Sequence, residues 1–268
     1  MRTQAQPLDR RETVPVRQEP QAIKAMDFAI APQRVLRVLA TAIVVLVTLS
    51  VVGQAVVYLL PDFPLRDALA SLFYVAQEAS VPTLYSVIQL LVAALLLAAI
   101  ALGHRRAENA RRRPWWLLAG VVAFMAVDEA TLIHERFIGP TRALLGIDSG
   151  PLLFAWVVPA AIASAIFAVA TRRFIGSLPR HTRRLMITAF ALFVGGALGV
   201  ELFGSAYAST HGREVFGYTL IVAVEEALEM VGVATLIYAL LAYISVALPA
   251  AQWSARVAPS PARHHQPR

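Results

Sequence analysis

Cysteine is absent from all 268 residues, which excludes disulfides, thiol nucleophiles and thiolate metal ligands. Lysine occurs once, at Lys24, so the basic charge is otherwise arginine. Charged residues make up 15% of the chain against 58% hydrophobic, a balance that does not suit a soluble domain of this length. No GxSxG, Walker loop or GxGxxG occurs. His134-Glu135 does not extend to HExxH, because Ile138 stands where the second histidine belongs, and there is no ExxH pair of the ferritin type. The six histidines are too few on any one side for the histidine-cluster chemistry of membrane hydrolases and desaturases.

What the chain has is hydrophobic length. Several apolar runs reach the roughly eighteen residues that mark a membrane span. They predict an all-α, polytopic transmembrane bundle of six spans within 35–247, at about 35–60, 82–103, 115–137, 152–171, 185–208 and 216–246. Residues 1–34 and 248–268 read as polar cytoplasmic tails. Residues 65–79, LRDALASLFYVAQEA, read as a short amphipathic helix on the outer membrane surface. Pro159 is expected to kink the fourth span, and Gly195 and Gly199 to give the fifth a GxxxG for close helix approach. Trp115 and Trp116 are expected at the inner interface.

Arginine placement sets the expected topology. With the N-terminus inside, 20 of the 24 basic residues fall in the inner segments, leaving Arg66, Arg136, Arg142 and Arg213 outside. Both termini are therefore expected in the cytoplasm of a bacterial cell, with the protein in its inner membrane. The net charge of +7 is explained by this asymmetry and by anionic lipid, so no nucleic-acid partner is invoked.

The informative residues are acids inside these runs. Glu225 and Glu229 stack on one helix face, and Glu226 lies about 60° to the side. Each would cost roughly 2.5–3.5 kcal/mol facing lipid, so they must face protein, a proton or a cation. Span direction and a rise of about 1.5 Å per residue bring Asp128, Glu201 and Glu225 to one level in the outer half of the membrane, with Glu229 near the midplane. His134, Glu135, Glu78 and His211 lie above them. Carboxylates with one or two imidazoles suit Fe, Mn, Zn or Mg. Asp128, Glu201, Glu225 and Glu229 are thus the candidate metal ligands, with Glu226, Glu129 and His134 as candidate proton acceptors and donors. Ala126–Ala130 (AVDEA) and Ala223–Ala227 (AVEEA) echo each other on antiparallel spans, as inverted repeats do, although the match extends no further.

The stretches VDEATLIHE, GVELFGSAYA and VEEALEMVG resemble a group of uncharacterised bacterial multi-span membrane proteins over about Val35 to Ile244. The resemblance implies a multipass membrane fold and carries no activity. The expected function is a membrane protein with a buried carboxylate and histidine cluster that binds a divalent metal and acts on a lipid-soluble substrate. Two other readings stand beside it: a proton- or cation-coupled transporter, and a non-catalytic scaffold with protonated acids. The apolar inner halves of the spans, such as Leu90–Leu102 and Val231–Leu241, disfavour transport.

Overall fold

The structure is a computed structural model and describes residues 31–106 and 112–247. All of these lie in one unit, Ile30–Gln252. The tails expected at 1–34 and 248–268 fall outside the described residues, apart from 31–34, of which Pro32 opens the first helix. Among the described residues every regular element is helical and none is a strand.

Helix α1 (Pro32–Leu59) starts with proline in its first turn, where the missing N–H costs nothing. It ends at Leu60, which is extended because Pro61 follows. Helix α2 (Arg66–Phe73) is shorter than the expected 65–79. Tyr74 leaves the helix in an extended conformation, and Val75 turns inward to pack with Val222 and Ala223. The buried Ser50 hydroxyl accepts the Val75 N–H at 3.1 Å. Apolar burial of Val75 therefore overrides the helical periodicity that continues to Ala76.

Helix α3 (Val81–Arg106) and α4 (Arg112–Thr131) form an antiparallel pair. The third apolar stretch does not continue to Phe137 as one helix. It breaks after Thr131, passes through a 3-10 turn (His134–Phe137) and resumes as α5 (Ile138–Leu145), bent by 79°. Helix α6 (Val157–Gly176) begins five residues later than expected, because Gly150–Leu152 form a 3-10 turn and Phe154 and Ala155 are buried against the bundle. Pro159 falls in the first turn of α6, so it starts the helix and does not kink it.

Helix α7 (Arg180–Val194), a π-helical segment (Gly195–Val200) and α8 (Glu201–His211) form one continuous rod. The last helix, α9 (Phe216–Ala247), is the centre of the bundle and packs on α1, α3, α7 and α8. Five helical segments are long and apolar enough to cross a membrane: Pro32–Leu59, Val81–His104, Val157–Gly176, Arg180–His211 and Phe216–Ala247. The bent pair α4–α5 makes a sixth if it counts as one span.

Two glycines set the closest approach in the bundle, and neither belongs to the expected GxxxG. A Cβ on Gly232 of α9 would sit 2.9 Å from the Phe193 nitrogen and 3.0 Å from the Ala189 carbonyl oxygen. A Cβ on Gly196 would sit 2.9 Å from the Glu225 carbonyl oxygen. Gly195 and Gly199 have nothing within 4 Å of such an atom. The face of this rod packed on α9 runs through Ala189, Phe193 and Gly196 at ordinary helical spacing, one residue away from Gly195.

The main apolar core lies where α3 and α6 end and α4 and α7 begin, here termed the arginine end. Trp115 is wholly buried there, T-stacked on Phe174 at 5.1 Å and beside Tyr243 at 5.0 Å. His104 stacks on the same indole at 6.3 Å and hydrogen-bonds the Tyr243 hydroxyl at 3.0 Å. Of the two tryptophans expected at an interface, only Trp116 is exposed.

Candidate functional site

The opposite, acidic end is organised by the break in α4. Leu132 adopts φ 51°, a left-handed conformation that costs a leucine roughly 1–2 kcal/mol. Asp128 holds the break closed. One of its oxygens accepts the His134 backbone N–H at 2.8 Å, and the other lies 2.8 Å from His134 Nδ1. Such bonds are worth less at this half-buried site than the roughly 1.5–3 kcal/mol of a fully buried charged group, but the two together offset the strain. The His134 ring is thereby fixed, and it packs against Trp156 at 4.5 Å.

Trp156, the residue before α6, carries the arrangement across the cleft. Its Nε1–H donates to Glu201 Oε1 at 3.2 Å. The Glu201 and Glu225 carboxyls are themselves in hydrogen-bonding reach of each other. A direct bond between two carboxyls requires that one of them hold a proton. Glu201 opens α8 directly after the π-helical segment, and such segments recur where a side chain is re-aimed at a site.

Lower on the same wall, Glu226 and Glu229 of α9 are in electrostatic range of each other and of Glu129 on α4. Arg213 is close enough to act on Glu201, and its guanidinium lies 4.4 Å over the Phe154 ring. Tyr74 and Tyr218 add phenols to the rim. Burial raises the Tyr74 pKa, partly offset by a hydrogen bond with Thr219, so the phenol stays neutral.

These groups line a single cavity of about 1900 Å³ between α4 and α6, floored by α7 and α9. Ligand pockets for drug-sized molecules hold roughly 300–1,000 Å³, so this one is large. Its walls change character along its length. The acidic end bears Asp128, Glu129, His134, Glu201, Glu225, Glu226 and Glu229. The middle is apolar, with Leu97, Leu118, Phe167, Phe190 and Leu236. The far end reaches Arg172 and Arg183. On α6 the lining positions Ala160, Ala163, Ser164, Phe167, Ala168 and Thr171 trace one helical face of mostly small side chains.

All seven site residues expected from sequence line this cavity, Asp128 beside His134, Glu201 beside Glu225, and Glu226 and Glu229 in range of Glu129. Asp128 spends both oxygens on His134. Among the described residues no group of three or more histidine or acidic side chains is set close enough to hold a metal ion. Glu78 and Glu135 are exposed on the rim, and His211 stays off the cavity, stacked on Tyr207 at 4.3 Å. Sequence reasoning missed Trp156, which looked like an ordinary residue of an uncharged span, and Arg213, which counted only toward topology. Only the bracketing of Trp156 by Phe154 and Pro159 at a helix start hinted at its position.

Comparison with known proteins adds a family and no activity. No curated protein and no solved structure matches the chain. The DUF8692 family, a domain of unknown function, matches residues 37–244, so this chain belongs to that family.

Proposed function

We propose that the chain is an integral protein of a bacterial inner membrane that admits a lipid-soluble amphiphile to the carboxylates of its cavity. One observation carries this: a single cavity joins a carboxylate cluster to a long apolar channel. A polar solute gains nothing from the apolar middle, and a pure hydrocarbon gains nothing from the polar groups at the two ends. An amphiphile gains from both.

The orientation follows from the arginines, with both termini cytoplasmic and the acidic end outward. Helix α4 alone has 20 residues, about 30 Å at 1.5 Å per residue, which matches the hydrocarbon thickness. Its break at Thr131 then falls at the outer surface, and α4 is the sixth span. A proton shared between Glu201 and Glu225 would equip the site for acid–base chemistry on the bound molecule, with Glu226, Glu129 and His134 as further proton carriers.

A divalent metal held by Asp128, Glu201, Glu225 and Glu229 is the second reading, favoured by the number of carboxylates on one wall. It requires Asp128 to leave His134 and the acids to draw together. Elemental analysis of chelator-free protein beside Glu225→Ala/Glu229→Ala tests it, and near-stoichiometric metal lost in the variant is the supporting result.

The main reading is tested by the lipophile that the protein retains on purification in mild detergent. Ala163→Trp fills the channel from α6, where a larger side chain meets open cavity. The parent should retain a hydrophobic molecule at near-stoichiometric level, and this variant should lose it while remaining folded. Equal retention by both would count against the reading.

A further inference from the structure

We propose that the arginine end of the cavity is a head-group site for an anionic phospholipid, whose acyl chain runs along the channel toward the carboxylates. This rests on the reading of the cavity as an amphiphile site and names the amphiphile's class and its orientation.

Five arginines surround the turn between α6 and α7: Arg172, Arg173, Arg180, Arg183 and Arg184. Topology alone would explain them as charges bathing the membrane surface. They are not equivalent, however. Arg172 and Arg183 line the cavity and the other three do not. Arg183 is half-buried, and its Nη1 donates to the Gly176 carbonyl at 3.0 Å, which holds the guanidinium at the cavity mouth. A guanidinium carries five N–H donors in a planar fork, so one bond to a carbonyl leaves the others for a phosphate. Arg172 comes from α6 and Arg183 from α7, so the two charges converge from both sides of the turn.

No acidic residue lines this end of the cavity, and every cavity carboxylate lies at the other. The charge complement is therefore an anion, and the apolar channel above it fits acyl chain. From Ala160 to Thr171 the channel face of α6 spans eleven residues, about 17 Å at 1.5 Å per residue. A free phosphate would satisfy the arginines and leave that length unfilled. In the proposed orientation the arginine end faces the cytoplasm, so the lipid is drawn from the inner leaflet. The far end of its chain, with any polar group carried there, then lies at the Glu201–Glu225 pair.

The test uses the full chain in nanodiscs and two photoreactive phospholipids with the same diazirine-bearing acyl chain. One has a phosphatidylglycerol head and the other a phosphatidylcholine head. Labelling within the channel should favour the anionic probe by roughly tenfold, the scale of one charge-assisted hydrogen bond. Arg172→Gln/Arg183→Gln should abolish the preference. Arg173→Gln/Arg184→Gln removes the same charge outside the cavity and should leave the preference intact. Equal channel labelling by both probes would overturn this inference and leave the amphiphile reading standing. So would an equal loss of preference in the two double variants. No channel labelling by either probe would overturn both.

Discussion

Helices α9 and α6 are both apolar enough to cross a membrane, yet they do opposite work. Buried residues make up 44% of the apolar 18-residue stretch that qualifies α9 as a span and 6% of the corresponding stretch of α6. Helix α9 is enclosed by α1, α3, α7 and α8, and it carries Glu225, Glu226 and Glu229. Helix α6 buries only Val157 and Thr171, near its two ends, and has no ionisable side chain between them. The difference shows where this fold can keep charge. Carboxylates persist in an apolar helix only where neighbouring helices supply donors, protons and distance from lipid. A helix without such neighbours serves as a wall, and the space it leaves against α4 is the cavity.

The contrast can be broken most severely at the α7–α9 crossing. Gly232→Leu places side-chain atoms against the backbone of Phe193, which cannot yield. The cost should reach or exceed the roughly 1–3 kcal/mol typical of overpacking. It should appear as lost monodisperse protein or a lowered thermal midpoint in detergent. Gly195→Leu, with open space around it, should stay within about 0.5 kcal/mol of the parent. Similar effects at the two positions would remove the glycine-clasp account of α9 burial.

Next in size is the carboxyl pair. Glu225→Leu leaves Glu201 without its partner across the cleft, at a cost of roughly 1–3 kcal/mol. Glu225→Gln still offers a donor to Glu201 and should cost less than about 1 kcal/mol. Thermal unfolding of the two variants checks the order, and a reversed order would contradict a shared proton.

Smaller still is the break in α4. Asp128→Ala frees His134 and leaves the left-handed Leu132 unsupported, worth about 1 kcal/mol at this half-buried site. Hydrogen exchange of residues 131–137 should rise in that variant with little change in α9. The smallest effect belongs to the outer face of α6. Ile166→Ala, at an exposed position, should move stability by no more than about 0.5 kcal/mol. A large loss there would mean that α6 is a packed partner and not a wall.

Much of this arrangement was legible in the residues, and the rest was not for identifiable reasons. Hydropathy located the apolar helices because length and composition are local properties. The face shared by Glu225, Glu226 and Glu229 followed from helical periodicity, and they do point into the bundle together. The break after Thr131 was hidden because it depends on Asp128 reaching six residues ahead to His134, and helical periodicity carries no record of that bond. The true close-packed glycines were hidden because which face of a helix meets its neighbour is a tertiary property that a GxxxG spacing does not record. Val75 looked like part of a surface helix because only the tertiary structure shows the gap between α1 and α9 that it fills. The partition of the acids was also illegible: Asp128 belongs with His134, and Glu201 with Trp156 and Glu225.

The most direct test of the central claim is to map where a headless photoreactive acyl probe cross-links the protein in a bilayer, residue by residue, by mass spectrometry. The account predicts adducts on the channel positions Phe167, Phe190 and Leu236, diminished in Ala163→Trp. Adducts confined to the outward positions Ile162, Ile166 and Val169, unchanged by that substitution, would show that lipid never enters the cavity and would contradict the account.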